Sequence, residues 1–473
     1  MGSVYERRAT MQIRKKYFGD KRFYSRVIAL AVPIIIQNGI THFVSLLDNI
    51  MVGSLGTEQM SGVSIVNQFV FVFNLLIYGA ISGAGIFCVQ YHGTNNKNGV
   101  RHTFRFKLYT NLLLSVISVA VLAVFNEYLI STFLFENSSN GNLALTLSEG
   151  KEYLKIMLIG LIPYAVSQVY ASTLRETEHT VVPMVASVVA VFTNFALNYV
   201  LIFGHLGFDA MGVRGAAIAT VIARFTELAI LVIWSHRNTD KCEYFKGIFR
   251  SLAIPIPLVK RMILKALPLM ANEFFWSISL TLRNQCYATR GIEVVAAQNI
   301  CSTIFNVFSV VYMSFGTVIS IMVGSLLGRE RFEEAKDTNR KILVCSVFCG
   351  ITLGTLLVLS SGLFPELYNT NDSVKTIAAY MMIISGAYMP FYAFNNSSYF
   401  TIRSGGSVGI TCLMDSGFMC LFMVPVSIAV SRLTDIGILP LFAICQGAEA
   451  LKTTISFVML KKTSWTKRIV GDK

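Results

Sequence analysis

The sequence predicts an all-α membrane protein: twelve transmembrane helices in two six-helix lobes, related by a pseudo-two-fold axis along the membrane normal. Three observations carry this. The first is an internal repeat. Pro33, Asn49, Gly56, Glu58 and Gly93 recur 235 positions later as Pro268, Asn284, Gly291, Glu293 and Gly328. Thr173 and Arg175 recur 228 later as Thr401 and Arg403, and Gly215 and Glu227 recur 222 later as Gly437 and Glu449. The falling offset is that of a second copy with shorter loops, and duplicated apolar halves are the pattern of a two-lobed transporter with its path between the lobes. The second is composition: of 473 residues, 54% are hydrophobic and 14% charged, with mean hydropathy +0.59, whereas soluble domains carry roughly 25% charged residues. The third is the alternation of basic and acidic loops along the chain.

Each span follows from an apolar run long enough to cross a bilayer, which takes about 20 residues. The runs are 27–52, 61–90, 108–131, 153–174, 181–203 and 214–234 in the first half. In the second they are 262–288, 294–327, 341–364, 376–402, 408–430 and 436–460. Backbone polar groups in lipid must bond within the segment, so these runs are read as helices, and the alternation of a transmembrane barrel is absent. Residues 27–234 form the N-lobe and 262–460 the C-lobe. A connector at 235–261, with Pro255 and Pro257, joins them, and basic tails at 1–26 and 461–473 flank the lobes.

Lys and Arg then give orientation. They cluster in the N-terminal tail (Arg7, Arg8, Arg14, Lys15, Lys16, Lys21, Arg22, Arg26) and in the stretch after span 2 (Lys97, Arg101, Arg105, Lys107). They recur in the connector, after span 8 (Arg329, Arg331, Lys336, Arg340, Lys341) and after span 12 (Lys461, Lys462, Lys467, Arg468). With twelve spans all lie on one side. The opposite loops carry Glu58, Glu127, Glu136, Glu149, Asp209, Glu366, Asp372 and Asp435. The positive-inside rule places both termini in the cytoplasm of a plasma (inner) membrane protein. Equal six-span halves enter from the same side, which sets the axis along the normal.

The formal net charge of +14 needs no nucleic-acid partner, because cytoplasmic headgroups attract these residues. The first apolar run follows too long and too charged a tail to be a cleaved signal. Nine cysteines and six histidines show no metal-ligand spacing, Cys345 and Cys349 being merely one turn apart. No phosphate-binding loop or nucleophile elbow occurs, so the chain is read as no enzyme, without cofactor, its energy drawn from an ion gradient.

Polar residues inside spans carry the chemistry, since burying charge in the membrane costs at least a few kcal/mol. Gln37, Thr41, Ser45 and Asp48 share one face of span 1, with Asn38 beside it. Span 7 answers with Asn272, Glu273, Ser277, Arg283 and Asn284. Spans 2 and 8 offer Asn67, Gln68 and Asn74, and Gln298, Asn299 and Asn306. Span 5 has Asn194 and Asn198, span 6 has Arg224 and Glu227, and span 10 has Asn395 and Asn396. Asp415 lies in span 11, and Gln446 and Glu449 in span 12. Each has a plainer reading beside the functional one: Asn and Gln as interhelical glue, Arg224 with Glu227 as an i, i+3 ion pair, and Asp415 as the cap of a broken turn. Pro33 and Pro268 are hinges or static kinks, and Gly79, Gly83 and Gly85 are spaced for close helix packing. Interior acids (Asp48, Glu227, Glu273, Asp415, Glu449) outnumber the bases Arg224 and Arg283, a balance that favours cationic ligands. Met270, Phe274, Phe275 and Trp276 are packing residues or contacts for lipophilic cations.

These residues resemble a known family. The run Pro33-Ile-Ile-Ile-Gln37 through Leu47-Asp48-Asn49-Ile-Met-Val-Gly53 and Leu55-Gly56 is similar to the first helix of multidrug and toxic compound extrusion (MATE) transporters. Asn198-Tyr199-Val-Leu-Ile-Phe-Gly204 with Gly212-Val-Arg-Gly215-Ala-Ala-Ile-Ala-Thr220 resembles that family's helix 5 to helix 6 signature, and Leu267-Pro268 with Asn272-Glu273 its helix 7 opening. The resemblance spans the chain. It implies two six-helix lobes forming a V, and export of organic cations against Na+ or H+. Asp48 matches the helix 1 aspartate taken as the N-lobe coupling site. The helix 5 aspartate that partners it in the DinF-like branch is here Asn198. The NorM-like branch places a glutamate of helix 7 in a C-lobe cation site, and Glu273 stands about one turn earlier, so the branch stays open.

The reading is thus a secondary multidrug exporter acting by alternating access, a monomer whose partners are organic cations and membrane lipids. Asp48, Asn194, Asn198, Gln37 and Asn38 are expected to bind the coupling cation. Glu273, Asn272, Asp415, Glu449, Glu227, Arg224 and Arg283 are expected to bind substrate or a second ion. Na+ is placed at Asp48 or at Glu273. The alternative is a flippase for a lipid-linked saccharide, which calls for a more cationic cavity. A sensor without transport leaves the symmetric polar stripes unexplained.

Overall fold

The computed structural model describes residues 16–134, 142–368 and 370–471. Arg7, Arg8, Arg14, Lys15 and Glu136 lie outside the described residues, as does the Ser45 side chain. Among the described residues the chain is helical, with no strand. Twelve long helices follow the predicted spans: α1 Lys21–Gly53, α2 Thr57–Gly93, α3 Lys97–Val124, α4 Leu143–Glu176, α5 Val181–Phe203 and α6 Gly212–Arg237. The second half repeats them as α7 Ile256–Ala288, α8 Ile292–Gly328, α9 Phe332–Leu359, α10 Asp372–Ser404, α11 Val408–Leu433 and α12 Ile438–Lys462. A short helix, Asn126–Leu134, takes up the end of predicted span 3. Ten of the long helices are apolar enough to cross a membrane on composition alone. The other two, α7 and α12, carry charges spread along their length, including Glu273, Arg283 and Glu449.

Several helices outrun their apolar runs. Lys97, Arg101, Arg105 and Lys107, expected in a loop, form the first turns of α3, capped by Asn96 whose side chain accepts from Gly99 N at 2.9 Å. Lys336, Arg340 and Lys341 likewise lie on α9. Helix propensity does not stop at the lipid boundary: charged Lys and Arg are good helix formers, so hydropathy underestimates length there. Turn chemistry repeats with the sequence. Gly56 and Gly291 open α2 and α8 with φ of +140° and +118°, backbone that only glycine adopts readily.

The chain folds as two compact units. The first is Ile36–Cys88 with Asn96–Met270; the second is the chain up to Ile35, Val89–Asn95 and Ala271–Lys473. Their divide falls inside α1 and α7, two residues past Pro33 and Pro268. The connector 235–261 belongs to the first unit. There Arg101 donates to the carbonyls of Glu243, Tyr244 and Lys246, and Arg105 to those of Ile248 and Ala253. Tyr244 hydroxyl meets Thr177 Oγ1 at 2.7 Å. Two arginines expected to greet lipid headgroups therefore satisfy loop carbonyls instead. In the same unit Gly79 and Gly83 let α2 lie against α7: a Cβ there would meet Met270 Cα at 2.7 Å and Ala266 Cα at 2.3 Å.

The second unit has an apolar core of Ala297, Ile304, Met381, Met389, Met423, Phe442 and neighbours, and a second cluster where Val27, Leu30 and Ala31 of α1 meet Val318, Ile319 and Met322 of α8. The last turn of α2 joins this unit. A Cβ on Gly93 would reach Ser325 O at 2.2 Å, and one on its repeat mate Gly328 would reach Gln90 O at 2.3 Å. The two helix ends cross backbone to backbone, related by the internal symmetry. The segment after α12 docks here too. Buried Gln90 donates to Ser404 O at 3.1 Å and Lys467 O at 3.3 Å and accepts from Ile469 N at 2.8 Å. Trp465 and Val470 are buried and Arg468 pairs with Glu330 at 2.9 Å. The basic tail after α12, expected to meet lipid headgroups, is a strap over this end.

Candidate functional site

In the first unit the structure brings Asp48, Asn194 and Asn198 together. Asn194 and Asn198 are four apart on α5, hence on one face and both buried. Asn198 Nδ2 donates to Asp48 Oδ1 at 2.7 Å. Asn194 takes the amide orientation in which its oxygen accepts from Thr220 Oγ1 at 3.2 Å and its nitrogen donates to both Asp48 oxygens, at 2.9 and 3.0 Å. Asn198 Oδ1 is buried with no hydrogen-bond partner. No basic side chain among the described residues pairs with Asp48. The cluster thus gathers one full negative charge and an unused amide oxygen within a half-buried, amide-lined niche. Such hard oxygen donors suit a small monovalent cation, because each bond the ion makes replaces one lost from water. Thr220 was not picked out from the sequence as a site residue. Its signal was the i to i+4 packing of α6, which looks like any Ala-Thr helix face.

Gln37 and Asn38 do not join this cluster. Gln37 Oε1 accepts from Arg175 Nη1 at 3.3 Å, and Asn38 is exposed. Arg224 and Glu227 share a helix but form no ion pair within 4 Å. Arg224 lies 5.1 Å over the Tyr164 ring with Nη1 lacking any hydrogen-bond partner, while Glu227 accepts from Ser167 at 3.5 Å. The side chains point along different neighbours because the aromatic face of α4 competes for the guanidinium. Asn67, from the span 2 stripe, accepts from Tyr153 at 3.4 Å, an interhelical bond.

The second unit gathers a larger network. Asn272 Nδ2 donates to Asp415 Oδ2 at 3.1 Å and its Oδ1 accepts from Ser416 N at 3.2 Å. Lys452 Nζ lies 2.7 Å from Asp415 Oδ1. Asn395 Nδ2 donates to Glu449 Oε2 at 3.0 Å while its Oδ1 accepts from Ser456 Oγ at 3.0 Å, and Tyr392 donates to Gln446. The charge of Glu449 acts on Arg283, beside Tyr287 and Tyr392, and those of Asp415 and Arg403 act on Glu273. Asp415 is thus among the charges that act on Glu273, whereas Arg283 forms no ion pair with Glu449 within 4 Å and its buried Nε has no hydrogen-bond partner. Phe274 and Phe275 are exposed, whereas Trp276 packs on the apolar core.

Two features here were not foreseen. Asp415 sits in π-helical turns, Leu413–Gly417 followed by Met419–Met423, the kind of irregularity that re-aims a side chain at a functional site. Lys452 went unnoticed near the end of an apolar run. The expected excess of interior acid is also corrected. Arg175 and Arg403, one residue past predicted spans 4 and 10, are drawn inside longer helices, and with Lys452, Arg224 and Arg283 they match the five acids.

Fold and site together define a polytopic membrane transporter built from a tandem six-helix repeat around buried carboxylate and amide clusters. The MatE family model matches residues 33–200 and 268–428, and the chain belongs to that family. It is 25% identical over 452 residues to a probable multidrug resistance protein NorM of Thermotoga maritima, covering 94% of this chain and 93% of the relative. It is 23% identical over 367 residues to a probable NorM of Haemophilus ducreyi, covering 77% of each. Among solved structures, a MATE protein in complex with MaL6 superposes with a TM-score of 0.84 at 17% identity, over 95% of this chain and 99% of that one.

Proposed function

We propose that this protein exports organic cations across the plasma membrane by antiport, and that Asp48 with Asn194, Asn198 and Thr220 binds the coupling ion, Na+ or H+. One observation carries the reading: a membrane-embedded carboxylate gathers amides and an unpartnered amide oxygen but no base among the described residues. An ion held there is exchangeable, which a permanent lysine or arginine partner would prevent. The NorM relatives support the drug-export part. Glu273, with the exposed rings of Phe274 and Phe275 beside it, supplies charge and surface for a lipophilic cation. Efflux of a fluorescent organic cation from loaded liposomes, with Na+ and pH gradients imposed separately, tests this; efflux under neither gradient ends the proposal. One observation favours the flippase reading instead: the interior bases equal the acids, with Arg283, Arg403 and Lys452 all in the second unit. Translocation of a lipid-linked saccharide in the same liposomes decides for it.

A further inference from the structure

We infer that Lys452 is a tethered cation, filling in the second half the place that an exchangeable ion fills in the first, so that coupling is confined to Asp48. The inference rests on the reading of Asp48 given above. The two carboxylates are built alike. Asp48 receives an amide nitrogen from Asn198 at 2.7 Å and another from Asn194. Asp415 receives one from Asn272 at 3.1 Å. They differ in the remaining coordination. At Asp415 it is taken by Lys452 Nζ at 2.7 Å, in a pair whose side chains are 21% and 10% exposed. At Asp48 no cationic side chain among the described residues takes it.

By the repeat, this pair is present in one half and not in the other. Counted back by the 228 and 222 offsets of the neighbouring matches, Asp415 falls on Ser187 and Lys452 on Ile230, neither charged. Acid and base therefore occur together in the second half and are both absent from the first. An acid alone would sit in lipid surroundings with no counter-charge, so removing the lysine creates a demand for a free cation. The neighbourhood accepts one: Glu449, held by Asn395, also acts on Lys452, and Arg283 is the other charge acting on it. The covalent tether makes the ammonium present at any ion concentration, whereas a diffusing ion binds in proportion to its concentration. Asp415 is thus a latent ion site kept permanently occupied.

The test is the binding stoichiometry of radioactive Na+ to the full chain purified in nanodiscs. Wild type binds about one Na+ per chain, Lys452→Met about two, Asp48→Asn about none, and Asp48→Asn with Lys452→Met about one. Lys452→Arg, which keeps the tethered charge, binds as wild type does. If wild type and Lys452→Met bind the same number, the tethered-cation inference is overturned while the Asp48 reading stands. If wild type binds none and Lys452→Met gains one, Na+ coupling at Asp48 fails and the inference survives. Should Lys452→Met be too unstable for counting, its melting temperature decides. A larger rise on replacing choline by Na+ than wild type shows supports the inference, and an equal rise overturns it.

Discussion

Asp48→Asn separates the ion's attraction from the fold. The substitution keeps side-chain size and one carbonyl oxygen, which rotates to accept from Asn198 Nδ2, now 2.7 Å from Asp48 Oδ1. The Asn194 nitrogen, 2.9 and 3.0 Å from the two carboxylate oxygens, then faces an amide N–H on one side and loses an acceptor. An unsatisfied buried donor costs about 1–3 kcal/mol, a loss a fold of ordinary stability of about 5–15 kcal/mol tolerates. The ion loses far more. A monovalent cation in contact at about 2.5 Å, with an effective dielectric of about 20, is attracted by about 7 kcal/mol. Allowing for the dipole of the amide oxygen that remains, about two-thirds of that is lost, and affinity falls by roughly a thousandfold. The assay is gradient-driven efflux of a fluorescent cation from liposomes, beside a melting curve of the same preparation. Expected is a near-normal melting temperature with efflux reduced to the leak. Wild-type efflux from Asp48→Asn at physiological ion concentrations refutes the argument, whatever the melting curve shows.

Four further expectations follow from other parts of the molecule. A reporter inserted after Thr57 reads outside and one after Asn98 inside; reversal at either point removes the twelve-span orientation. Glu273→Gln, by removing a carboxylate that faces Asp415 and Arg403, lowers organic-cation affinity about 10–100-fold and leaves neutral ligands nearly unchanged, as read by fluorescence titration. Gly328→Leu drives a side chain onto Gln90 O, which a Cβ there would meet at 2.3 Å, and costs about 1–3 kcal/mol or more. Gly362→Ala, in the turn after α9 with nothing within 4 Å of a Cβ there, is the silent control in the same melting assay. Burial holds His179, in the turn after α4, below the usual 6.5. Its folded form therefore binds fewer protons than its unfolded form, and stability falls as pH drops below about 6.5. Connector docking should loosen there, measured as faster proteolysis at Lys241 and Lys246, and His179→Gln should flatten the pH response.

The fold was legible where the repeat and the apolar runs agreed. Pro33 and Pro268, Gly56 and Gly291, and Gly93 and Gly328 sit in equivalent places in the structure, because backbone requirements survive duplication. Asp48 was legible for another reason: a lone carboxylate on a polar helix face has few structural uses in lipid. The pairing of Asn194 with Asn198 followed from helical spacing. What stayed hidden depends on packing between distant segments. Lys452 meets an acid 37 residues away, and within the apolar run 436–460 nothing in its own helix marks it as that acid's partner. The π turns at Asp415 come from a shifted hydrogen-bond register with no periodicity of its own. Arg224 and Glu227 had the spacing for a pair, but Tyr164, on another helix, took the arginine.

The strap held by Gln90 bears on the order in which the protein is made. Gln90 and Lys467 are 377 residues apart. At about 5–20 residues per second, roughly 20–75 s pass between synthesis of the one and the other. During that interval the last turn of α2 is already in place, yet its amide has neither Lys467 O nor Ile469 N to bond. Water or the insertion machinery must serve it. A chain stopped or clipped between α12 and Ile469 leaves the Gln90 oxygen without Ile469 N, although Ser404 O still accepts from its nitrogen, and it loses the buried Trp465 or Val470. Quality control that recognises exposed apolar surface can therefore distinguish finished from unfinished molecules at this end.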